Sequence, residues 1–413
     1  MKVQLFGTKG SREAYEIRDF LVRSTVSFDY VEVSDTDAPA SGFGTVFRQD
    51  DLPVCVMDNG ELLRKPNIQQ IAERLGWISS PKYTEYDVSI YGAGPAGLSA
   101  AVYAASEGLK TVLVEKASIG GQAGSSSLIE NFLGYPEGIA GAEIAEKARQ
   151  QAVKFGADIL HLQEGVKASF EDGRIHVDLA DGGKLIAKTN ICATGVEYQH
   201  LNLPRESDFL GRGLFYGAGL SEAYLCRQQD IYVVGGANSA GQAAVHFADF
   251  ARTVTLVIRG ATLSGSMSRY LIDKLSRTTN IRYRFLTEVV ELDGGQELQR
   301  FKLQNLIGGE TAWIESQKLF VCIGGKPNTE WAKDTSIIRD ESGYLVTGPD
   351  IQKFTRGQPI PGWHLNREPF YLETSIPGSF AVGDVRHNSI KRMATAVGEG
   401  AMCITFVHKY LRS

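Results

Sequence analysis

The chain has 413 residues, enough for two or three domains with their own cores. Hydrophobic residues make up 43% and charged residues 22%, and the net charge is −5, which leaves neither a basic stripe for nucleic acid nor a polybasic membrane patch. No apolar run is long enough to cross a bilayer and Met1-Lys2-Val3-Gln4 opens no signal peptide, so a cytoplasmic location is expected.

The first block, 1–80, opens with a strand at Val3–Phe6 and a helix whose apolar positions are Tyr15, Ile17, Phe20 and Leu21. A strand at Phe28–Val33 follows, then Leu52–Met57, a turn at Asn59-Gly60 and a closing helix around Ile68–Leu75. The polar linker Ser79-Ser80-Pro81-Lys82 ends the block. Its element order resembles a glutaredoxin or thioredoxin-like domain. The resemblance implies a cis peptide before Pro53 and places that family's two cysteines on Ser11 and Ala14. Without thiols at those positions the block cannot exchange disulfides. Two readings stay open: a docking or dimerisation module, or a unit that simply packs.

The second block begins at strand Tyr86–Tyr91, which runs into Gly92-Ala93-Gly94-Pro95-Ala96-Gly97. A helix with Leu98, Ala101, Val102 and Ala105 on one face follows, and then strand Thr111–Val114 ending at Glu115. This is a complete dinucleotide fingerprint. Gly92 makes the tight turn, Gly94 admits a pyrophosphate, Gly97 allows close helix–strand packing, and Glu115 can accept from a ribose hydroxyl. A second unit has strand Ile231–Val234, the turn Gly235-Gly236-Ala237-Asn238-Ser239-Ala240, a helix through Phe250 and strand Val254–Ile258 closing at Arg259. The chain returns at Ser379–Asp384 and a terminal helix. The expected fold is α/β, with two Rossmann-type units and a discontinuous first domain: 85–200 with 326–413, and 201–325 inserted between.

From Tyr86 onward the chain resembles the thioredoxin reductase family of low-molecular-weight flavoproteins. The motifs that agree in order are Gly120-Gly121-Gln122-Ala123, Ile129-Glu130-Asn131-Phe132, Ala193-Thr194-Gly195, Ile323-Gly324-Gly325-Lys326-Pro327-Asn328, Gly383-Asp384 and Lys391-Arg392-Met393-Ala394. The resemblance implies FAD held by Gly92, Gly94, Pro95, Ala96, Gly97, Glu115, Gly121, Gln122, Asn131 and Val166. It adds Ala193, Thr194, Gly195, Gly383, Asp384, Arg392, Met393 and Ala394. For Asp384 a helix N-cap role is the plainer alternative, and the two can coexist. The resemblance also implies a homodimer.

Three departures from the family pattern bear on function. Gly217, Ala218, Gly219 and Leu220 stand where the family carries Cys-x-x-Cys; these small residues are candidates for a pocket over one flavin face, or for a gap that neighbouring side chains fill with the activity lost. Tyr216, Ser221, Glu222 and His387 lie near the same motifs, with packing or surface roles as the plainer readings. The NADP site implied by Gly235, Ala237, Asn238, Ser239, Ala240 and Arg259 has a methyl group where the fingerprint expects glycine at 237. The resemblance places Arg259, with no carboxylate ending the strand, where a 2′-phosphate would bind, and a solvated surface arginine is the equal alternative. An extended stretch, Pro349 to Tyr371, reads as an ordered surface loop or interface lobe.

Five cysteines, Cys55, Cys192, Cys226, Cys322 and Cys403, stand singly, and neither they nor the seven histidines have ligand spacing, so buried thiols and no metal site are expected. The function implied is an FAD-dependent oxidoreductase without an active-site dithiol, passing electrons from NADPH to a small molecule, a quinone, or an electron-transfer or thioredoxin-like protein. A ferredoxin-fed enzyme, a substrate oxidase, and a non-catalytic flavin redox sensor remain as alternatives.

Overall fold

The computed structural model describes residues 2–8, 11–33, 48–126, 128–217, 223 and 226–413. They form two compact units. One comprises Met1–Arg74, Ser125–Leu128 and Tyr198–Gly324; the other comprises Leu75–Gly124, Ile129–Glu197 and Gly325–Ser413.

The N-terminal part of the first unit holds β1 (Lys2–Gly7), α1 (Arg12–Arg23), β2 (Ser27–Glu32), β3 (Val54–Val56), β4 (Leu62–Arg64) and α2 (Ile68–Arg74). Its sheet runs β2-β1-β3-β4, with β1 and β2 parallel and the other pairs antiparallel. The apolar spacing of α1 turns Ala14, Ile17, Phe20 and Leu21 inward, and Ser11 caps the helix by accepting the Ala14 N–H at 3.1 Å. The Leu52–Pro53 peptide is cis. The strand expected from Leu52 begins only at Val54, since Pro53 has no N–H for the ladder.

The second unit is built on β5 (Tyr86–Tyr91), β6 (Thr111–Glu115), β7 (Asp158–His161), β8 (Gly165–Glu171), β9 (Arg174–Leu179) and β10 (Lys184–Cys192). They lie in the order β7-β6-β5-β10-β9-β8. β5 pairs in parallel with β6 and β10, so the chain order reverses beside β5, the switch point at which open α/β sheets bind ligands. Helix α3 (Pro95–Ser106) follows β5 and is so rich in alanine that eight of its residues are buried. The C-terminal helix Met393–Leu411 crosses it closely: a Cβ on Gly400 would lie 2.2 Å from the Ala96 carbonyl oxygen. Short strands β11 (Val196–Tyr198) and β20 (Gly325–Pro327) pair at the chain crossover.

The remainder of the first unit has a parallel sheet in the order β12-β19-β13-β14-β15, made of β12 (Leu214–Tyr216), β13 (Asp230–Val234), β14 (Thr253–Ile258), β15 (Ile281–Phe285) and β19 (Leu319–Val321). Strands β16 (Thr287–Gly294), β17 (Leu298–Asn305) and β18 (Thr311–Glu315) form an antiparallel ribbon. The helix after β13 spans Asn238–Ala248, two residues short of the Phe250 limit expected; the last strand, β21 (Ser379–Ala381), pairs with β10 in the second unit.

His161 ends β7 with 5% of its surface exposed, and burial holds its imidazole down at about 4, although its Nε2 lies 2.9 Å from the Ala117 carbonyl oxygen. An unfolded histidine takes its proton near 6.5, so between those values the unfolded chain binds more protons. Stability is therefore complete above pH 6.5 and falls by up to about 3 kcal/mol as the pH drops towards 4. Urea unfolding across that window will show a shallower pH dependence in His161→Gln; an unchanged slope would remove His161 from the account.

Candidate functional site

Four separate segments of the second unit converge at the end of β5. Gly92 has φ +102°, and a Cβ there would lie 2.4 Å from the Ala193 carbonyl oxygen. A Cβ on Gly97 would lie 1.9 Å from the Gly92 oxygen, and one on Gly383 2.9 Å from the Ala96 Cβ. The Gly120–Gly121 turn closes the group: the Gly120 N–H donates to Ala93, and a Cβ on Gly121 would stand 3.2 Å from the Gly94 Cα. A Cβ on Gly94, by contrast, would meet nothing within 4 Å. Gly94 is the N-cap of α3 and Pro95 its first residue, with no side chain capping the helix. The result is an open cradle of bare backbone at a helix N-terminus, where partial positive charge favours an anion. These residues fit the diphosphate of a dinucleotide.

The side chains around the cradle have defined tasks. Glu115 accepts the Ala93 N–H at 2.6 Å and the Ala117 N–H at 2.7 Å, so its carboxylate shapes the loop with one lone pair of each oxygen. Gln122 donates to the Val196 carbonyl at 2.8 Å, and Thr194 and Asn328 tie the two crossover segments together with hydrogen bonds of 2.9 and 3.2 Å. Asp384 lies in the 3₁₀ turn Gly383–Val385 behind the N-cap Val382, so it caps no helix; the cap of the C-terminal helix is Arg392. Burial raises the Asp384 pKa, the nearby Lys391 opposes that shift and Glu399 adds to it. Lys391 donates to the Asp384 carbonyl oxygen at 2.6 Å and sits 4.2 Å over the Tyr344 ring.

Asn131, Val166, Arg392 and Ala394 are exposed, and Met393 is half-buried. Val166 follows Gly165, where a Cβ would stand 3.1 Å from the Tyr91 ring, so the start of β8 approaches the end of β5. One pair went unnoticed in the sequence. Glu399 accepts the Gly383 N–H at 2.7 Å and the Arg386 guanidinium at 2.5 Å, with both side chains 7% exposed. A lone carboxylate between Gly398 and Gly400 in an apolar helix was its only signal. The Pro349–Tyr371 stretch contains a short helix, Asp350–Phe354, and Arg367 grips the fully buried Glu373 through two hydrogen bonds of 2.6 and 3.0 Å.

The first unit repeats the cradle with changes. Gly235 has φ +143°, and a Cβ there would lie 2.3 Å from the Cys322 carbonyl oxygen. Ala237 is the uncapped N-cap of the Asn238–Ala248 helix in ordinary extended backbone, so its methyl group is tolerated and exposed. Asn238 is occupied: its side-chain oxygen accepts the Ser268 N–H at 2.8 Å. Ser239 and Arg259 are exposed, and Ala240 is buried.

Gly217 has φ +81°, and a Cβ there would fall 2.5 Å from the Tyr198 hydroxyl, whose pKa burial pushes up to about 12. Ala218, Gly219, Leu220, Ser221 and Glu222 lie outside the described residues. Tyr216 is anchored: its hydroxyl donates to Glu206 at 2.7 Å and accepts the Leu201 N–H at 2.8 Å. His387 pairs with Asp340 at 2.6 Å. All five cysteines are buried and stand outside any disulfide, and burial pushes the Cys55, Cys192 and Cys322 thiols up to about 12. Among the described residues no cluster of three or more His, Cys, Asp or Glu side chains could hold a metal, and no helix is long and apolar enough to cross a membrane.

Two α/β units, each with a glycine turn opening on an uncapped helix, define a protein of the two-dinucleotide class. Comparison with known proteins narrows this. The profile of the family described as pyridine nucleotide-disulphide oxidoreductase matches residues 86–358. Thioredoxin reductase of Treponema pallidum is 31% identical over 328 residues, covering 79% of this chain and 98% of that protein. The 34.2 kDa protein in the rubredoxin operon of Clostridium pasteurianum is 31% identical over 327 residues, 79% of this chain and 97% of its own length. The crystal structure of T. acidophilum thioredoxin reductase superposes with a TM-score of 0.71 at 28% identity, covering 80% of this chain and all of that one. The chain belongs to the pyridine nucleotide-disulphide oxidoreductase family, and membership implies the use of FAD and NADPH.

Proposed function

We propose that this chain is an FAD-dependent oxidoreductase that passes electrons from NADPH to an acceptor other than a disulfide. The observation that carries the reading is the contrast between an intact cradle at Gly92–Gly97 and a glycine at 217. There both backbone φ and the Tyr198 hydroxyl exclude a cysteine side chain. The five thiols are buried and outside any disulfide, and burial raises the pKa of Cys55, Cys192, Cys322 and Cys403, which keeps those four protonated.

Bound FAD supplies two-electron chemistry between a hydride donor and an acceptor. The chain's part is binding and orientation. The N-terminus of α3 takes the diphosphate, Glu115 keeps the loop in shape, and the Glu399–Arg386 pair holds the Gly383 turn that presents Asp384. In the first unit the N-terminus of the Asn238–Ala248 helix and the exposed Arg259 suit NADPH. The sheet order β2-β1-β3-β4 supports a thioredoxin-like reading of the N-terminal part. A homodimer in the cytoplasm is proposed as its setting, which light scattering of the purified protein will test.

Mixed anaerobically with NADPH, the purified flavoprotein will lose its flavin absorbance band within the mixing experiment. NADPH with oxidised thioredoxin will yield no thioredoxin dithiol, in the native protein or in Cys226→Ser. NADPH-dependent thioredoxin reduction that disappears in Cys226→Ser would overturn the reading. Failure of both NADPH and NADH to bleach the flavin would instead favour a ferredoxin-fed or substrate-oxidising enzyme, for which the Ala237 methyl group is the supporting observation.

A further inference from the structure

Helix α1 uses one side against its own sheet, through Ala14, Ile17, Phe20 and Leu21. A second stripe, Tyr15, Asp19 and Arg23 at four-residue spacing, faces away from that core and meets the nucleotide part of the same unit. The Tyr15 ring lies 5.4 Å from the Phe215 ring and packs on the cluster that includes Phe215 and Cys226. It rests on the backbone of Gly211, where a Cβ would approach its Cδ1 to 2.9 Å and φ is +71°, so only glycine gives the ring a seat. Further along the stripe, Arg23 and Asp19, 3.5 Å apart, both act on Tyr198, and Tyr198 in turn stands against Gly217. At the helix start, Glu13 feels the Arg212 charge.

One face of α1 thus packs on the Gly211 turn and on Phe215 of β12, and its far end acts on Tyr198, which stands against Gly217. An aromatic side chain turned away from its own core needs such a partner to leave water. The juxtaposition is specific. Ser11 and Ala14, where a thioredoxin-like domain would carry its thiols, begin the helix whose far end acts on Tyr198, and Tyr198 stands against Gly217, where a reductase would carry its own. We propose that the N-terminal part is an internal cover, occupying in cis the seat that a separate thioredoxin-fold acceptor would need and so denying this face to protein acceptors. This deepens the reading of a reductase without a dithiol, on which it rests, by naming the acceptor class as small molecules.

The test uses the full chain loaded with FAD, comparing native protein with Tyr15→Ser and Tyr15→Phe. The Gly211 and Arg212 amides close only local turn bonds, to Leu214 and Phe209, so their protection depends on the overlying ring. Hydrogen exchange of the peptide spanning 210–213 will quicken about tenfold in Tyr15→Ser and stay native in Tyr15→Phe, while the β1 amides remain slow in both. With NADPH as donor of two electrons, the rate with ferricytochrome c, a protein probe that takes one electron per molecule, will rise about fivefold relative to that with dichlorophenolindophenol in Tyr15→Ser. Unchanged exchange in Tyr15→Ser would show that no seat exists. Opened exchange with an unchanged ratio of the two rates would overturn the exclusion of proteins. Absence of turnover with the dye in the native protein would sink the proposed function and not the cover, which the exchange experiment decides alone.

Discussion

Gly97→Ala will emerge from purification without flavin and with a much lowered unfolding temperature. The added methyl carbon would stand 1.9 Å from the Gly92 carbonyl oxygen and 3.2 Å from the Ala193 Cβ. Neither neighbour can yield. Gly92 is itself pressed on the Ala193 carbonyl in a left-handed conformation, and Ala193 is buried at the end of the chain segment leaving β10. Helix α3 would have to lift off β5, an overpacking of backbone against backbone that costs about 3 kcal/mol or more. Gly94→Ala is the informative partner. Its Cβ meets no protein atom within 4 Å and its backbone is ordinary, so the fold should persist while the methyl group intrudes into the open cradle that fits a diphosphate. The ratio of flavin to protein absorbance, with thermal unfolding of the flavin-free forms, separates the two effects. Native flavin content and unfolding temperature in Gly97→Ala would mean that the cradle is not built as described.

Glu399→Ala should destabilise the second unit by about 3–5 kcal/mol, because it leaves the Arg386 guanidinium buried without its counter-charge. The same carboxylate accepts the Gly383 N–H, so its loss also frees the turn before Asp384, and flavin retention should fall with stability. Glu399→Gln keeps an acceptor for that N–H but not the charge, and should lie between the two. Replacing both partners, Arg386→Met with Glu399→Leu, removes the desolvated charges together and should recover most of the loss. Urea unfolding midpoints of the four proteins, at one pH and flavin load, carry the comparison. A change below about 1 kcal/mol in Glu399→Ala would place the pair among exposed ion pairs of little consequence.

Much of this molecule was legible along the chain. The turn Gly92–Gly97 between an apolar strand and an alanine-rich helix identified the first cradle, and Gly235–Ala240 identified the second. Such signals are local: a glycine's left-handed turn, a two-residue strand period and a helical period each act within a few residues. Burial of the cysteines was expected for the same reason, since most of them stand in apolar runs, and all five are buried. The role of Asp384 was less legible, because a carboxylate after glycine and before a helical stretch suits an N-cap, whereas here a separate 3₁₀ turn intervenes.

What local pattern could not supply was partnership over distance. Glu399 and Arg386 are named as a pair only once the C-terminal helix lies along α3, and Glu115 is committed to two loop amides only when β6 ends beside Ala93. The seat of Tyr15 on Gly211 and Phe215 joins residues some 200 positions apart, and nothing in the amphipathic period of α1 says what its second stripe will meet. The sequence by itself determined the element types, the two glycine turns and the lack of a spaced thiol pair, since these depend on covalent identity and short-range sterics. Tertiary structure alone decided which buried charge meets which, and that the Tyr198 hydroxyl stands over Gly217. Those contacts depend on close packing of segments that the chain keeps far apart.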